Sequence, residues 1–478
     1  MKMLPAVPSR SRPLLRGRAR VLLVTGVLEL GGAAGFALHR NAGQPVPAAP
    51  PPASAVTARS PAARTAPAPL VTPAAPPPAT ASAPPVPAAG PVGVALDVAT
   101  AQARVTPVAK PAEVRGLYLN AWAAGSSRKL DKLVGIAQRT EINTFVIDVK
   151  EGGEVSYRSS IPLVRQVRAD RSYIRDVRAL LERLRSAGIY PIARIVAFKD
   201  RTLAEARPEW AIQRADGSQW LDDTGHPWVD SYNRRVWDYN IAIAREAIVL
   251  GFAEVQWDYV RFPDVPRSYL ARARWPAAEG RSKEDAIREF LLYSRAQLAA
   301  YGVPVTADVF GLTVSASDDM GIGQLWSKLV DATDVLLPMV YPSHFARGSY
   351  GIARPNAFPY GTVKKAMEFA RRRTPDSPGS ATIRPWLQDF TLGPPRYGPA
   401  HVRAQIQAVY DAGLEEWVLW NPGSNYTVAA LADSAGVMPR FPLPGEADAP
   451  DRSATVAKPL VPLGSPVALP RPDSGGGR

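Results

Sequence analysis

The sequence predicts a TIM (β/α)8 barrel preceded by an apolar anchor and a disordered Pro/Ala-rich linker, and three observations carry the barrel. Eight short apolar runs alternate with longer amphipathic stretches across residues 113–439. Four of the amphipathic stretches end in glycine just before an apolar run: Ala187-Gly188-Ile189, Leu250-Gly251-Phe252, Tyr301-Gly302-Val303 and Ala412-Gly413-Leu414. Glycine adopts the left-handed conformation without steric cost, so it stops a helix and hands the chain to the next strand. A doubly wound open sheet would want a strand followed by a glycine-rich phosphate loop; Gly321-Ile322-Gly323 follows no strand.

Taken in order, residues 1–40 read as an anchor or export signal. Lys2, Arg10, Arg12, Arg16, Arg18 and Arg20 precede the apolar run 21–38, and positive charge keeps its own end in the cytoplasm, placing the chain beyond residue 38 outside. The nearest small-residue cleavage site is Ala53-Ser54-Ala55, well downstream, so an uncleaved membrane anchor is expected, with secretion the outcome if the segment is removed. Residues 41–112 hold 18 prolines and almost no large apolar side chain. Such a chain cannot offset the entropy of ordering and reads as an extended tether. Residues 440–478 read as a similar tail.

Within 113–439 the strands are predicted at 116–123, 144–150, 190–197, 254–262, 304–310, 335–341, 383–390 and 416–421. Helices fall between them at 128–140, 173–187, 234–250, 282–301, 363–373 and 399–412. Ser282 with Asp285 three residues later resembles a capping box. Pro263 ends the fourth strand, because proline cannot continue a ladder.

Composition narrows the chemistry. The 478 residues include no cysteine and four histidines, which excludes thiolate metal sites, disulfide scaffolds and a cysteine nucleophile. The net charge of +14 is unevenly spread. Residues 1–112 hold 11 Lys/Arg against 2 acidic groups, whereas 113–439 hold 41 against 37. The basic balance therefore belongs to the N-terminal region, and no nucleic-acid partner is expected.

Alternation along a strand assigns the barrel interior. Val255 and Trp257 form an outward apolar set, placing Glu254, Gln256 and Asp258 inside. Val305, Ala307 and Val309 face out, sending Thr306 and Asp308 inward; Phe145, Ile147 and Val149 do the same for Asp148 and Lys150. Three strands thus bring a carboxylate to their C-terminal ends, where barrel enzymes build their catalytic face. The structural alternative is a buried ion-pair network, Asp148 with Lys150 or Arg194 and Asp258 with Arg261.

Aromatic and amide residues gather at the same level. Trp122, Tyr341, Trp386, Gln388 and Asn421 have inward parity, while Trp420 and Asp389 fall on the outward face, Trp420 as packing. Flat aromatic walls beside carboxylates and amides suit sugar rings, which have apolar faces and hydroxyl rims. Glu151 and Lys199-Asp200 lie just past strand ends, Asp200 reading as a solvated loop charge. Arg261 could hold a carboxylate or an acidic sugar, and His344 is the histidine nearest a strand end.

The stretches Val146-Ile147-Asp148-Val149-Lys150-Glu151, Gln256-Trp257-Asp258-Tyr259-Val260-Arg261-Phe262-Pro263, Ala307-Asp308-Val309-Phe310-Gly311, Met339-Val340-Tyr341-Pro342-Ser343-His344 and Arg384-Pro385-Trp386-Leu387-Gln388-Asp389-Phe390 resemble the bacterial putative glycoside hydrolase domain family. The resemblance covers the folded unit in order and implies a barrel of glycosidase ancestry. Glycosidases commonly use one ionised and one protonated carboxyl group. The expected pair is Asp258 as nucleophile and Asp308 as general acid/base, with Asp148 or Glu151 positioning a hydroxyl or raising a partner's pKa. Substrate contacts are expected from Asp148, Lys150, Glu151, Trp122, Arg261, Tyr341, His344, Trp386, Gln388 and Asn421. No cofactor and no metal is expected. The expected function is hydrolysis of an envelope or extracellular polysaccharide; the alternatives are a carbohydrate-binding barrel without turnover and a metal-dependent hydrolase at Asp148, Asp258 and Asp308.

Overall fold

In the computed structural model, which describes residues 108–445, eight parallel staves close into a TIM barrel. The 21–38 run, nearly all of the 41–112 linker and the end of the tail lie outside the described residues. Among the described residues, no helix is long and apolar enough to cross a membrane.

The strands are β1 (Arg115–Leu119), β2 (Thr144–Glu151), β3 (Glu154–Val155), β4 (Tyr190–Val196), β5 (Glu254–Asp258), β6 (Val305–Phe310), β7 (Val335–Met339), β8 (Thr382–Ile383), β9 (Trp386–Gln388) and β10 (Trp417–Trp420). β1 pairs with both β2 and β10, which closes the ring. β8 and β9 are two halves of one stave, parted at Arg384-Pro385 where proline offers no donor. β3 is not a stave; it folds back on β2 as an antiparallel hairpin pairing Glu151 with Glu154.

The helices are α1 (Ala121–Gly125), α2 (Ser127–Ala137), α3 (Pro162–Gln166), α4 (Val177–Ser186), α5 (Arg201–Ala206), α6 (Arg234–Leu250), α7 (Arg267–Leu270), α8 (Lys283–Leu298), α9 (Trp326–Leu329), α10 (Pro359–Arg373) and α11 (Pro399–Asp411). The four glycines predicted to end helices all have positive φ, at 69°, 124°, 66° and 75° for Gly188, Gly251, Gly302 and Gly413. Two strands, β1 and β5, stop well before their predicted ends. Asn120 ends β1 by capping α1, its Oδ1 accepting from Ala123 N at 2.8 Å. Tyr259 ends β5 by entering the left-handed region at φ 48°.

Alternation sorts the apolar side chains into two bodies. The larger lies between strands and helices; the smaller, including Val146, Ile192, Val335, Leu337 and Val418, fills the barrel. Val108 packs against that inner body, and Lys110 Nζ meets Glu416 at 2.8 Å, so the chain engages the barrel before Glu113. At the N-terminal end of the strands, buried Arg384 bridges Glu254 at 2.6 Å and Glu416 at 2.8 Å. This charged floor leaves the opposite end for chemistry.

Candidate active site

Strand register brings the acidic tips together. Asp148 on β2 is level with Arg194 on β4, and Arg194 is level with Gln256 on β5. Trp257 is level with Ala307, which sets Asp258 and Asp308 side by side on neighbouring strands. Adjacent strands lie about 4.8 Å apart, so the two carboxyl groups share one wall of the barrel.

Arg194 stands at the centre. Its Nη1 donates to Asp148 Oδ1 and to Glu151 Oε2, both at 2.5 Å. Its Nε and Nη2 donate to Asp258 Oδ2 at 3.0 and 2.5 Å. Asp258 Oδ1 accepts from the backbone N–H of Tyr259 at 2.5 Å. The left-handed turn at Tyr259 aims that N–H back at the carboxylate, and a non-glycine residue there stores strain next to the acidic centre.

Asp308 has a different environment. It accepts from Gln256 Nε2 at 2.9 and 3.1 Å and from Trp386 Nε1 at 2.7 Å, all neutral donors. Burial, and then the negative charge of Asp258, push its pKa well above the usual carboxylate range. A half-turn of the Gln256 amide would present Oε1, which is buried without a hydrogen-bond partner, as an acceptor for the Asp308 proton. One carboxyl group therefore meets a guanidinium and its neighbour meets only neutral groups, the arrangement that separates an ionised from a protonated acid.

Asp148 is the third member. Burial pushes it up to about 7 against the opposing pull of Arg194, and Tyr118 Oη donates to its Oδ2 at 2.5 Å. Because the folded protein binds this proton more tightly than the unfolded chain, the group's contribution is complete below the unfolded carboxylate value and is lost as pH rises toward about 7. Melting temperatures measured at about pH 5 and about pH 8 should therefore differ less for Asp148→Asn than for the wild type. An equal or larger difference in the variant would show that Asp148 does not carry this proton.

Aromatic rings line the inner wall beside the acids. Tyr118 stacks on Trp420 with centroids 3.9 Å apart, and Trp386 meets Trp420 edge-on at 5.5 Å. The Arg194 guanidinium lies 5.6 Å from the Tyr118 ring and 5.4 Å from Trp420. Tyr341 also belongs to the inner body.

Several sequence expectations need correction. Trp420 faces the barrel interior: Trp417 and Leu419 belong to the outer body and Val418 to the inner one, so the parity is reversed. Asn421 does not point inward; it braces the following loop, donating to Asp389 O at 2.6 Å and accepting from Gly423 N at 3.0 Å. Trp122 lies on α1 and not on a strand, and is exposed.

Lys150 is turned away from the acids because the β2 to β4 register slips between Asp148 and Lys150. It is fully buried against Asp200 at 2.7 Å and Asn240 Oδ1 at 2.9 Å. Asp200 is accordingly a buried ion-pair partner and the cap of α5, not a solvated loop charge. The same slip brings Glu151 to Arg194, with half its side chain exposed at 49%.

Gln388 is fully buried and commits both amide ends to backbone, Oε1 accepting from Ser343 N and Nε2 donating to Phe390 O. His344 contacts the Tyr341 and Phe390 rings, and burial lowers its pKa to about 4. Arg261 lies among Tyr259, Phe310 and Trp228, 4.6 to 5.4 Å from their centroids. Among the described residues, no group of three His, Asp or Glu side chains is arranged to hold a metal ion; Arg194 occupies the point where three carboxylates converge.

Two residues of the site escaped the sequence reading. Tyr118 has the inward parity assigned to its strand and could have been found by the same rule. Arg194 figured only as a possible ion-pair partner, whereas it organises the whole cluster.

The profile of a family described as putative glycosyl hydrolase domain matches residues 116–426, spanning the barrel from β1 to the loop after β10. The chain belongs to the putative glycosyl hydrolase domain family. Membership in the putative glycosyl hydrolase domain family implies a carbohydrate substrate. No curated protein matches the chain. Among solved structures, a hypothetical protein from Ruminiclostridium thermocellum is 38% identical, with a TM-score of 0.38 over 43% of this chain and 98% of that one. The PgaB (BpsB) glycoside hydrolase domain from Bordetella bronchiseptica is 13% identical, with a TM-score of 0.49 over 67% and 99%. The spore cortex-lytic enzyme SleL from Bacillus megaterium is 10% identical, with a TM-score of 0.40 over 67% and 73%.

Proposed function

We propose that the protein hydrolyses glycosidic bonds of an envelope or extracellular polysaccharide, with Asp258 as nucleophile and Asp308 as general acid/base. The observation that carries this reading is the contrast between the two neighbours. Arg194 supplies counter-charge to Asp258, while Asp308, with neutral donors only, is pushed toward its protonated form. Asp308 would protonate the departing glycosidic oxygen as Asp258 attacks the anomeric carbon; water would then release the sugar, returning a proton to Asp308. Trp420, half-buried with Tyr118 and Trp386 packed behind it, would offer a flat apolar wall to the ring, and Glu151, half exposed beside Arg194, would take a hydroxyl.

One observation favours a second reading, a barrel that binds glycan without turnover. Asp308 is only 1% exposed, and Arg194 already occupies Asp148, Glu151 and Asp258. The deciding experiment is a hydrolysis screen of the full chain against peptidoglycan, capsular and exopolysaccharide preparations, with Asp308→Asn beside it. New reducing ends from the wild type and at least about a hundredfold fewer from the variant support hydrolysis. Retention of a glycan with no reducing ends supports binding alone.

The N-terminal run at 21–38 lies outside the described residues, and anchoring of the barrel on the outer side of the membrane remains part of the proposal from sequence.

A further inference from the structure

The geometry points to a carbohydrate platform on the rim of the barrel mouth, built from Trp122 and Tyr173, that holds pyranose units of a glycan chain extending away from the central carboxylates. This inference rests on the glycan reading above and adds a second contact region to it.

Of the eleven tryptophans in the chain, Trp122 alone is exposed, at 68%. It follows β1 directly and therefore stands at the end of the barrel that carries the acidic cluster. Its neighbours Ala121, Ala123 and Ala124 are buried, so α1 presents the indole outward from a seated helix. The Trp122 and Tyr173 centroids lie 4.4 Å apart with the ring planes at 41°. Tilted rings leave faces open to a third flat body.

The pair is held rigidly. Gly125 approaches so closely that a Cβ there would lie 1.8 Å from the Tyr173 carbonyl oxygen, so α1 and the Tyr173 loop are packed as one piece. Asn120 adds a tie to the far side, donating to Pro422 O at 2.8 Å and accepting from Ala123 N. Preorganised aromatic surface binds at low entropic cost.

The platform adjoins the hairpin that carries Glu151. Tyr173 Oη donates to Glu154 Oε2 at 2.5 Å, and Arg171 Nη2 to Glu154 Oε1 at 2.6 Å. Glu154 pairs across the hairpin with Glu151, whose carboxylate reaches Arg194. The β2–β3 hairpin thus stands between the rings and the centre, with Glu154 on the side of Tyr173 and Glu151 on the side of Arg194. Apolar sugar faces can rest on the rings while hydroxyls meet Glu154 and Arg171. That ion pair is balanced in charge and suits hydroxyls more than an anionic substituent.

The test uses the full chain, its Trp122→Ala variant and its Tyr173→Ala variant on arrays of cello-, chito-, xylo- and manno-oligosaccharides from dimer to octamer. In at least one series the wild type should bind the octamer more tightly than the dimer. Trp122→Ala should lose about tenfold on the octamer and flatten the length dependence, with thermal melting unchanged because the side chain is exposed. Bound octamer should also protect Trp122 from N-bromosuccinimide oxidation. Full length dependence in both variants, or no binding of any series by the wild type, overturns the platform. Hydrolysis of the same series separates the two readings. Length-dependent binding without cleavage sinks the hydrolase and keeps the platform; cleavage with length-independent binding does the reverse.

Discussion

Replacing Asp258 with alanine is expected to lower hydrolysis of a cleaved glycan by about 10⁴-fold, with turnover partly restored by azide. The small anion can enter the space of the missing carboxylate and attack the anomeric carbon. The bond to the leaving oxygen breaks as Asp308 delivers its proton, and the product is a glycosyl azide. Asp308→Asn keeps the nucleophile but cannot donate a proton, so it should be slow with poor leaving groups, and any glycosyl azide it forms, by displacement of the Asp258 ester, should have the opposite anomeric configuration. Product analysis by mass spectrometry and NMR checks both statements. Wild-type rates in Asp258→Ala, or no glycosyl azide at high azide concentration, would remove Asp258 as nucleophile.

Arg194→Met should destabilise the protein by about 3–5 kcal/mol at neutral pH, because it leaves buried carboxylates without their counter-charge. The guanidinium is almost fully buried and is the shared partner of Asp148, Glu151 and Asp258. Without it, Asp148, already pushed up to about 7, holds its proton to still higher pH. The variant's stability then falls as pH rises through a wider window than in the wild type. Its deficit should be largest in mild alkali and shrink toward about pH 4, the unfolded carboxylate value. Denaturant melts across that range measure it. A deficit that does not vary with pH would mean that lost packing, not lost charge, destabilises the variant.

The acidic trio was legible because β2, β5 and β6 carry outward sets that are wholly apolar, which leaves the inward parity unambiguous. β10 offers no such contrast. Trp417, Val418, Leu419 and Trp420 are all apolar, so alternation alone could not say which pair faces inward. Lys150 was misplaced for a different reason: a register slip leaves no trace in a run whose residues keep alternating past it. The misplacement of Trp122 was avoidable, since Asn120 ahead of Ala-Trp-Ala-Ala is a cap signal. Arg194 lies on a strand whose inward set includes Tyr190 and Ile192, and one cation among apolar neighbours gives no sign that three carboxylates will reach it.

The bridge from Arg384 to Glu254 and Glu416, backed by Val108, plugs the cylinder from beneath. A polymer consequently cannot thread through. A glycan bound as proposed would have to dip one terminus into the well or drape over the lip, and any product would leave by the door through which it came.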